Sequence, residues 1–281
     1  MLLQSAMEYL MTYGWAILAI AVIMVSLYSL GIFNLSSFGP KATAGSCQVV
    51  KTATQISLAG QCNGYPPKYV MAPVYYNPPQ YVFVNYNFPK MTAFTQVGWT
   101  YYSTGTQSGF ALVEQASCGI FGPGWSFDSC NCRFSSNDVA VGCGGSQVPS
   151  ASKNRWQMVA SSVYANGTVV TYSFTAGTES KAADVYGSQI YVPAGAVYMG
   201  SWQGSGSYTM NGIISNIQIY NTTLDESALK ALYNEGVGGA PVDVQHLIGW
   251  WPLNGNANDY SSNYRNGQTT NTIWLSSYTA T

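Results

Sequence analysis

Charge is what this sequence has least of. Ten basic and eleven acidic side chains serve 281 residues, 7% of the chain against about 25% in an ordinary soluble domain. The net charge of −1 and the lack of any basic patch give no electrostatic footprint for nucleic acid. Histidine is nearly absent, and His246 stands without a Ser or Cys partner in a catalytic pattern. Neither a phosphate loop nor a nicotinamide fingerprint occurs. Glycoside hydrolysis on a β-sandwich needs paired carboxyls about 5 to 10 Å apart. The acids Glu114, Asp128, Asp138, Glu179 and Asp184 are scattered, and an enzyme is not expected.

Polarity comes instead from Ser, Thr, Asn, Gln and 22 Tyr residues, beside 29 Gly and 8 Trp. Such a weakly charged surface is poorly protected against self-association, which suits a subunit meant to assemble. Tyr9 to Phe33 is a run of 25 residues without a charge. At about 1.5 Å per residue it makes a helix of roughly 37 Å, enough to cross a bilayer core of about 30 Å. The chain is therefore expected to be exported or membrane-held at some stage. A cleavable secretory signal would have a basic start, a shorter apolar core and a small-residue cleavage site after it, and none of these is present. Glu8 sits at the edge of the run, where a carboxylate is costly unless something compensates it.

Gln4-Ser5-Ala6-Met7-Glu8 followed by that run resembles the class III signal segment of archaeal type IV pilin-like proteins. In that family a prepilin peptidase cuts just before the Gln, which becomes the first mature residue with Glu as the fifth; Gln4 and Glu8 have this spacing. Only Met1-Leu2-Leu3 precede Gln4, where the family has a basic residue and a Gly. The resemblance implies a helix that is membrane-inserted before assembly and then packs in a filament core. Glu8 there offsets the new amino terminus of a neighbouring copy and favours one axial register, because a shifted subunit would leave a buried charge unpaired. It also implies as partners other copies of the chain, the peptidase and the pilus assembly machinery, at the cell surface. A plain transmembrane anchor is the alternative reading of the same run.

Cys47, Cys62, Cys118, Cys130, Cys132 and Cys143 all fall in one stretch. An even count in an exported chain reads as a disulfide framework, and six cysteines allow 15 connectivities. A metal site is the other reading, but paired C-x2-C knuckles are missing and His246 is remote. Sequons at Asn34, Asn166 and Asn221 fit a glycosylated extracellular surface.

The fold expected is mainly β: a long N-terminal hydrophobic α-helix over 1–33, a Ser/Gly/Ala-rich linker over 34–45, and one sandwich over 46–281. Strand runs are Tyr81 to Tyr86, Gln96 to Tyr102, Gln157 to Ala160, Thr168 to Phe174 and Ile213 to Tyr220, with Asn166-Gly167 as a hairpin signal. Thr223-Leu224-Asp225-Glu226 reads as a capping box opening a short helix that Gly236 ends, too short to stand unless docked on the sheet edge.

In this order, Arg155 to Ala160, Gly167 to Tyr172, Met199-Gly200, Asn211 to Asn221 and the capped helix resemble the laminin-G-like, concanavalin-type jelly roll. The Cys-rich stretch 103–150 does not match it and reads as a disulfide-locked insertion or decorated loop. Gly249 to Ser261 looks like the family's opening strand and loop, yet follows the helix that should close the fold. The segment 249–281 either folds back to complete its own domain, the favoured reading, or adds a strand to a neighbouring subunit. In related proteins the Asn/Asp-rich loop often lies by calcium. Asn254, Asn256 and Asp259, with Asn258 and Asn263, are suitable hard donors for Ca²⁺, and a polar turn held by Asn side chains is the other reading. Lectin-like jelly rolls commonly grip carbohydrate by aromatic stacking. Trp125 and Trp202, in glycine-rich settings, are the candidates, whereas Trp99, Trp156, Trp250 and Trp251 lie in apolar runs and are expected in the core. The function these features imply is a structural subunit of an extracellular pilus-like filament whose head mediates adhesion, with glycans as possible ligands; a membrane-anchored monomeric carbohydrate-binding protein is the alternative.

Overall fold

The computed structural model describes residues 13–25, 47–60, 62, 67–72, 78–101, 110–115, 118–122, 126–129, 133–134, 154–185, 190–191, 194–206, 209–210 and 212–276. The chain divides into two compact units, Met1–Pro40 and Lys41–Thr281. In the first, residues 13–25 form a helix, α1, exposed along its whole length, with Trp15 73% and Val25 69% accessible. Among the described residues no helix is long and apolar enough to cross a membrane. The rest of the expected 1–33 span, the linker 34–45, Gln4, Glu8 and Asn34 lie outside the described residues.

The second unit is built of antiparallel strands. Its first half contains β1 (Gln48–Lys51), β2 (Ile56–Ala59), β3 (Val70–Met71), β4 (Tyr81–Phe88), β5 (Phe94–Tyr101) and β6 (Phe110–Gln115). Three short strands follow, β7 (Cys118–Gly122), β8 (Ser126–Ser129) and β9 (Arg133–Phe134). Then come β10 (Trp156–Val163), β11 (Thr168–Thr175), β12 (Thr178–Val185), β13 (Ile190–Tyr191), β14 (Gly195–Met199) and β15 (Ile213–Tyr220). Helix α2 (Glu226–Glu235) precedes β16 (Leu247–Trp251), β17 (Gln268–Thr270) and β18 (Trp274–Leu275). The front sheet runs β12-β11-β10-β5-β15-β3-β18 with β16 also on β15, and the back sheet runs β17-β4-β14-β6-β7-β8. Strands β6 to β8 thus supply half of the back sheet, so the stretch 103–150 is in part sandwich and not wholly insertion. Strands β7, β8 and β9 are only 5, 4 and 2 residues long, which is why they read as loop.

Alternation sorts the side chains into two cores. Val82, Val84 and Phe88 of β4, Leu112 of β6 and Val197 and Met199 of β14 meet Val159, Ile214, Ile217, Ile219 and Trp251 between the sheets. Gly98 of β5 sits where the sheets approach, since a Cβ there would stand 3.1 Å from Leu112 Cδ2 of the back sheet, and 2.7 Å from Ile217 Cδ1 on the neighbouring β15. On the other face of the front sheet, Val97, Trp99, Trp156, Met158, Ala160, Tyr172 and Phe174 are covered by Leu229 and Leu232 of α2. Every residue of β10 is buried as a result. Tyr233 of α2 stacks on both Trp99 and Phe174, at centroid distances of 5.4 and 5.6 Å.

The helix therefore docks on the face of the sheet, not at its edge, because that face carries the apolar residues. Its N-cap is Asp225, whose carboxylate accepts from Ala228 N–H, two residues later than the Thr223 capping box implies. Glu226 is consequently free to pair with Lys181 of β12 at 2.6 Å and Lys230 at 2.7 Å, while Lys230 also reaches Glu179 at 2.9 Å. Gly236 ends the helix with φ 85°.

The segment 249–281 pairs within its own chain: β16 on β15, β17 on β4 and β18 on β3. Cys47 and Cys62 form a disulfide that closes the β1–β2 hairpin, a loop closure worth about 3 kcal/mol in the chain-entropy picture. Cys130, Cys132 and Cys143 lie outside the described residues, and only the backbone of Cys118 is described, in β7.

Two predictions follow from this packing. A Cβ at Gly249 would collide with the ring of Trp251, which is fully buried. Gly249→Ala is expected to lower unfolding stability by about 1–3 kcal/mol, the usual cost of overpacking, read from denaturant melts; an unchanged midpoint would refute the close approach. The hydrogen bonds of Lys181 and then Lys230 hold the Glu226 carboxyl down to about 2 from its usual 4.5. A depressed carboxyl stabilises the fold above its unfolded pKa and loses that effect as pH falls through the folded one. The melting-temperature advantage of the wild type over Glu226→Gln should therefore be full above pH 4.5 and vanish towards pH 2.

Candidate functional site

The loop after β16 is organised by one carboxylate. Asp259 Oδ1 accepts from Trp250 N–H at 3.1 Å and Ser261 N–H at 2.9 Å, and Oδ2 accepts from Arg265 N–H at 3.0 Å. Its own N–H donates to Asn266 Oδ1 at 2.9 Å. Asn254 Oδ1 accepts from Tyr69 N–H, and Asn256 Oδ1 from Asn258 N–H two residues on. The oxygens of three expected calcium donors, Asn254, Asn256 and Asp259, thus accept from main-chain N–H groups, as in a polar turn. Among the described residues no group of three or more His, Cys, Asp or Glu is placed to hold a metal ion.

This turn and strand β1 enclose a cavity of about 280 Å³ lined by Gln48, Val49, Val50, Lys51, Asp259, Tyr260, Ser262 and Tyr264. Val49 N–H donates to Tyr260 O at 2.9 Å and joins the two walls. Asn263 fixes the rim: its amide donates to Ser261 Oγ at 2.8 Å and to the carbonyl of Ile248 at 3.1 Å, and its Oδ1 accepts from Lys51 Nζ at 2.7 Å. Ser262 and Tyr264 flank it with φ of 62° and 56°. A bulky residue in that left-handed region is strained by roughly 1–3 kcal/mol and persists only where the surroundings hold it. Tyr264 is 82% exposed. Partial burial and then Arg265 lower the Lys51 pKa, against a smaller raising effect of Asp259.

Trp202 is half-buried in the turn before Gly204, which has φ 72° and lies against the ring of Tyr81. Tyr81 and Phe83 of β4 pack around Tyr198 of β14 at centroid distances of 5.8 and 4.7 Å on the outer face of the back sheet. Burial and then Tyr81 and Glu114 push the Tyr198 hydroxyl up. Trp125 lies outside the described residues; Trp99, Trp156, Trp250 and Trp251 are buried. The register sets Glu114, Gly119 and Asp128 in one cross-strand row, although the sequence scatters them; Glu114 is fully buried there. The sequons at Asn166 and Asn221 are exposed. His246 Nδ1 is 2.8 Å from Asp243 Oδ2 at the surface.

No family model and no curated protein matches the sequence. Among solved structures, a candidate carbohydrate-binding protein from Bacteroides ovatus superposes with a TM-score of 0.51 at 16% identity, covering 80% of this chain and 64% of that one. The fold is an antiparallel β-sandwich like that structure's. The chain spans just under two thirds of that structure's length. The SAP-like pentraxin of Limulus polyphemus (TM-score 0.42, 12% identity, 61% of this chain, 82% of that one) is less similar. So is the Trypanosoma rangeli sialidase bound to the inhibitor DANA (0.36, 13%, 69% and 29%). In this sandwich the residues brought together, Lys51, Asn263 and Tyr264, were not legible as a site, because Lys51 lies 212 positions before Asn263 and matches no motif.

Asp259→Ala leaves three main-chain N–H groups without their acceptor. We expect a loss of about 3 kcal/mol or more and faster amide exchange at Trp250, Ser261 and Arg265; unchanged exchange at all three would refute the role.

Proposed function

We propose that the chain is a structural subunit of an extracellular type IV pilus-like filament of the archaeal pilin-like kind, whose sandwich head makes adhesive contacts, including contacts with glycans. The observation that carries this reading is the apolar N-terminal run opened by Gln4 and Glu8. Its described part, α1, exposes Trp15, Ile17, Leu18, Ile20, Val22, Ile23 and Val25. An apolar surface of that extent needs cover, from lipid before assembly and from neighbouring helices after it. The lectin-like fold of the head supports the adhesive part. It equally fits a membrane-anchored carbohydrate-binding protein that never polymerises, and polymerisation is what separates the two.

Electron cryomicroscopy of filaments sheared from the native cell surface, with mass spectrometry of their N-terminus, tests the proposal. A helical polymer that begins at Gln4 and has these helices at its centre is the expected result. An uncut chain found only in the membrane fraction would overturn it. Glu8→Gln should leave membrane insertion intact and lower filament yield by at least about tenfold, since a buried amino terminus would lose its partner. Normal filament numbers would rule out Glu8 as the register device.

A further inference from the structure

We propose that the cavity between β1 and the Asp259 loop binds one acidic sugar unit, with its anionic group at Lys51 and its ring face on Tyr264. This rests on the reading of the head as a glycan-contacting surface and assigns that contact a site and a ligand class.

Lys51 supplies the charge. An ammonium has three donors, and here one is taken by Asn263 Oδ1. Lys51 makes no ion pair among the described residues, whereas Lys181 and Lys230 both do. The carboxylate nearest in the cavity wall, Asp259, is turned to three main-chain N–H groups. Lys51 therefore offers donors beyond the one that Asn263 takes, beside an Asp259 carboxylate whose oxygens are occupied by main-chain N–H groups, and a carboxylate or sulfate is the group that meets an ammonium donor most strongly.

Tyr264 supplies the surface. A sugar ring offers a patch of C–H groups on one face and hydroxyls around its edge. An exposed tyrosine beside polar groups matches both requirements. Tyr264 is 82% exposed, and its backbone is held at φ 56° by a loop that Asn263 bolts to the Leu247–Ile248 carbonyls and Ser261. The same Asn263 orients Lys51, so the ring and the ammonium are positioned together before any ligand arrives. Such preorganisation lowers the ordering cost of binding. The Ser262 hydroxyl and Tyr260 line the space between them. At about 280 Å³ the cavity is at the small end of ligand pockets, which fits a single ring and not an extended chain.

The test is an array of glycans bearing uronate, sialate or sulfate groups, each beside its neutral counterpart, probed with the full-length chain and with Lys51→Gln, Lys51→Arg, Tyr264→Ala and Tyr264→Phe. These side chains are exposed, so the variants should keep the wild-type melting temperature. We expect acidic glycans to bind at least about tenfold better than neutral ones, a difference of about 1.4 kcal/mol. Lys51→Gln and Tyr264→Ala should each remove that signal, while Lys51→Arg and Tyr264→Phe retain most of it. The uronate and sulfate arms separate the two sources of charge. Equal binding of neutral glycans, or an acidic signal unchanged in both disruptive variants, would overturn the assignment and leave the adhesive head standing with another contact surface. A wild-type chain that binds nothing on the array would overturn both.

Discussion

The Asp259 carboxylate is the constraint on which the rest of the head depends. Strand β16 is bound to β15 along one side only, and its other side would be an open edge at the end of a large sheet. Asp259 and Tyr260 close it: the carboxylate takes Trp250 N–H, and Tyr260 N–H donates to Trp250 O at 2.8 Å. Tyr260 O then accepts from Val49 N–H, which ties in the β1–β2 hairpin and its Cys47–Cys62 bridge. One of the carboxylate's three main-chain bonds goes to β16 and two to its own loop, and such charge-assisted bonds are about twice as strong as neutral ones.

Scarcity of charge shapes the other side of the sheet. Three of the four ion pairs among the described residues lie together, where Lys181 and Glu179 of β12 meet Glu226 and Lys230 of α2. Isolated surface pairs contribute little, and the apolar contacts of Leu229, Leu232 and Tyr233 fasten the helix. The charges instead sit on β12, the outermost strand of the front sheet. Lysine and glutamate there discourage strand addition by another copy. On the proposed reading, a surface this weakly charged needs that protection if copies are to associate through helices and not through sheet edges.

What was legible in the sequence was whatever depends on local pattern. Ile213 to Tyr220 reads as a strand and is one, and Asn166-Gly167 joins β10 to β11, because alternation and turn chemistry act over a few residues. The helix was legible, but its N-cap shifted from Thr223 to Asp225, whose ionised carboxylate is the stronger acceptor for the first-turn N–H groups. Its docking face was not legible, since Trp99 and Phe174 come from strands far apart in sequence. Nor could spacing select Cys47–Cys62 from 15 connectivities. The Asn/Asp loop was visible as a cluster of hard oxygens, but the main-chain donors that Asn254, Asn256 and Asp259 meet, and the Lys51 ammonium that Asn263 meets, are supplied only by the fold. The cavity was hidden most completely, because it joins Lys51 to residues near the C-terminus through a single bridging amide.

A one-ring cavity and a filament make sense together on the proposed reading. A ligand of so few atoms cannot bind tightly alone, because the free energy available per atom is small and the cost of immobilising it is not. One head on one anchor would release its glycan quickly. Heads repeated along a helical polymer convert successive contacts into intramolecular events, and such linkage can raise avidity about 10²–10⁴-fold without a new contact. Weak, preorganised and exposed is thus the affinity regime in which a polymeric scaffold gains most. On that reading the proposed site can be built from Lys51, Asn263 and Tyr264 on the rim of the sandwich: specificity would rest on their fixed geometry, and strength would come from the number of copies.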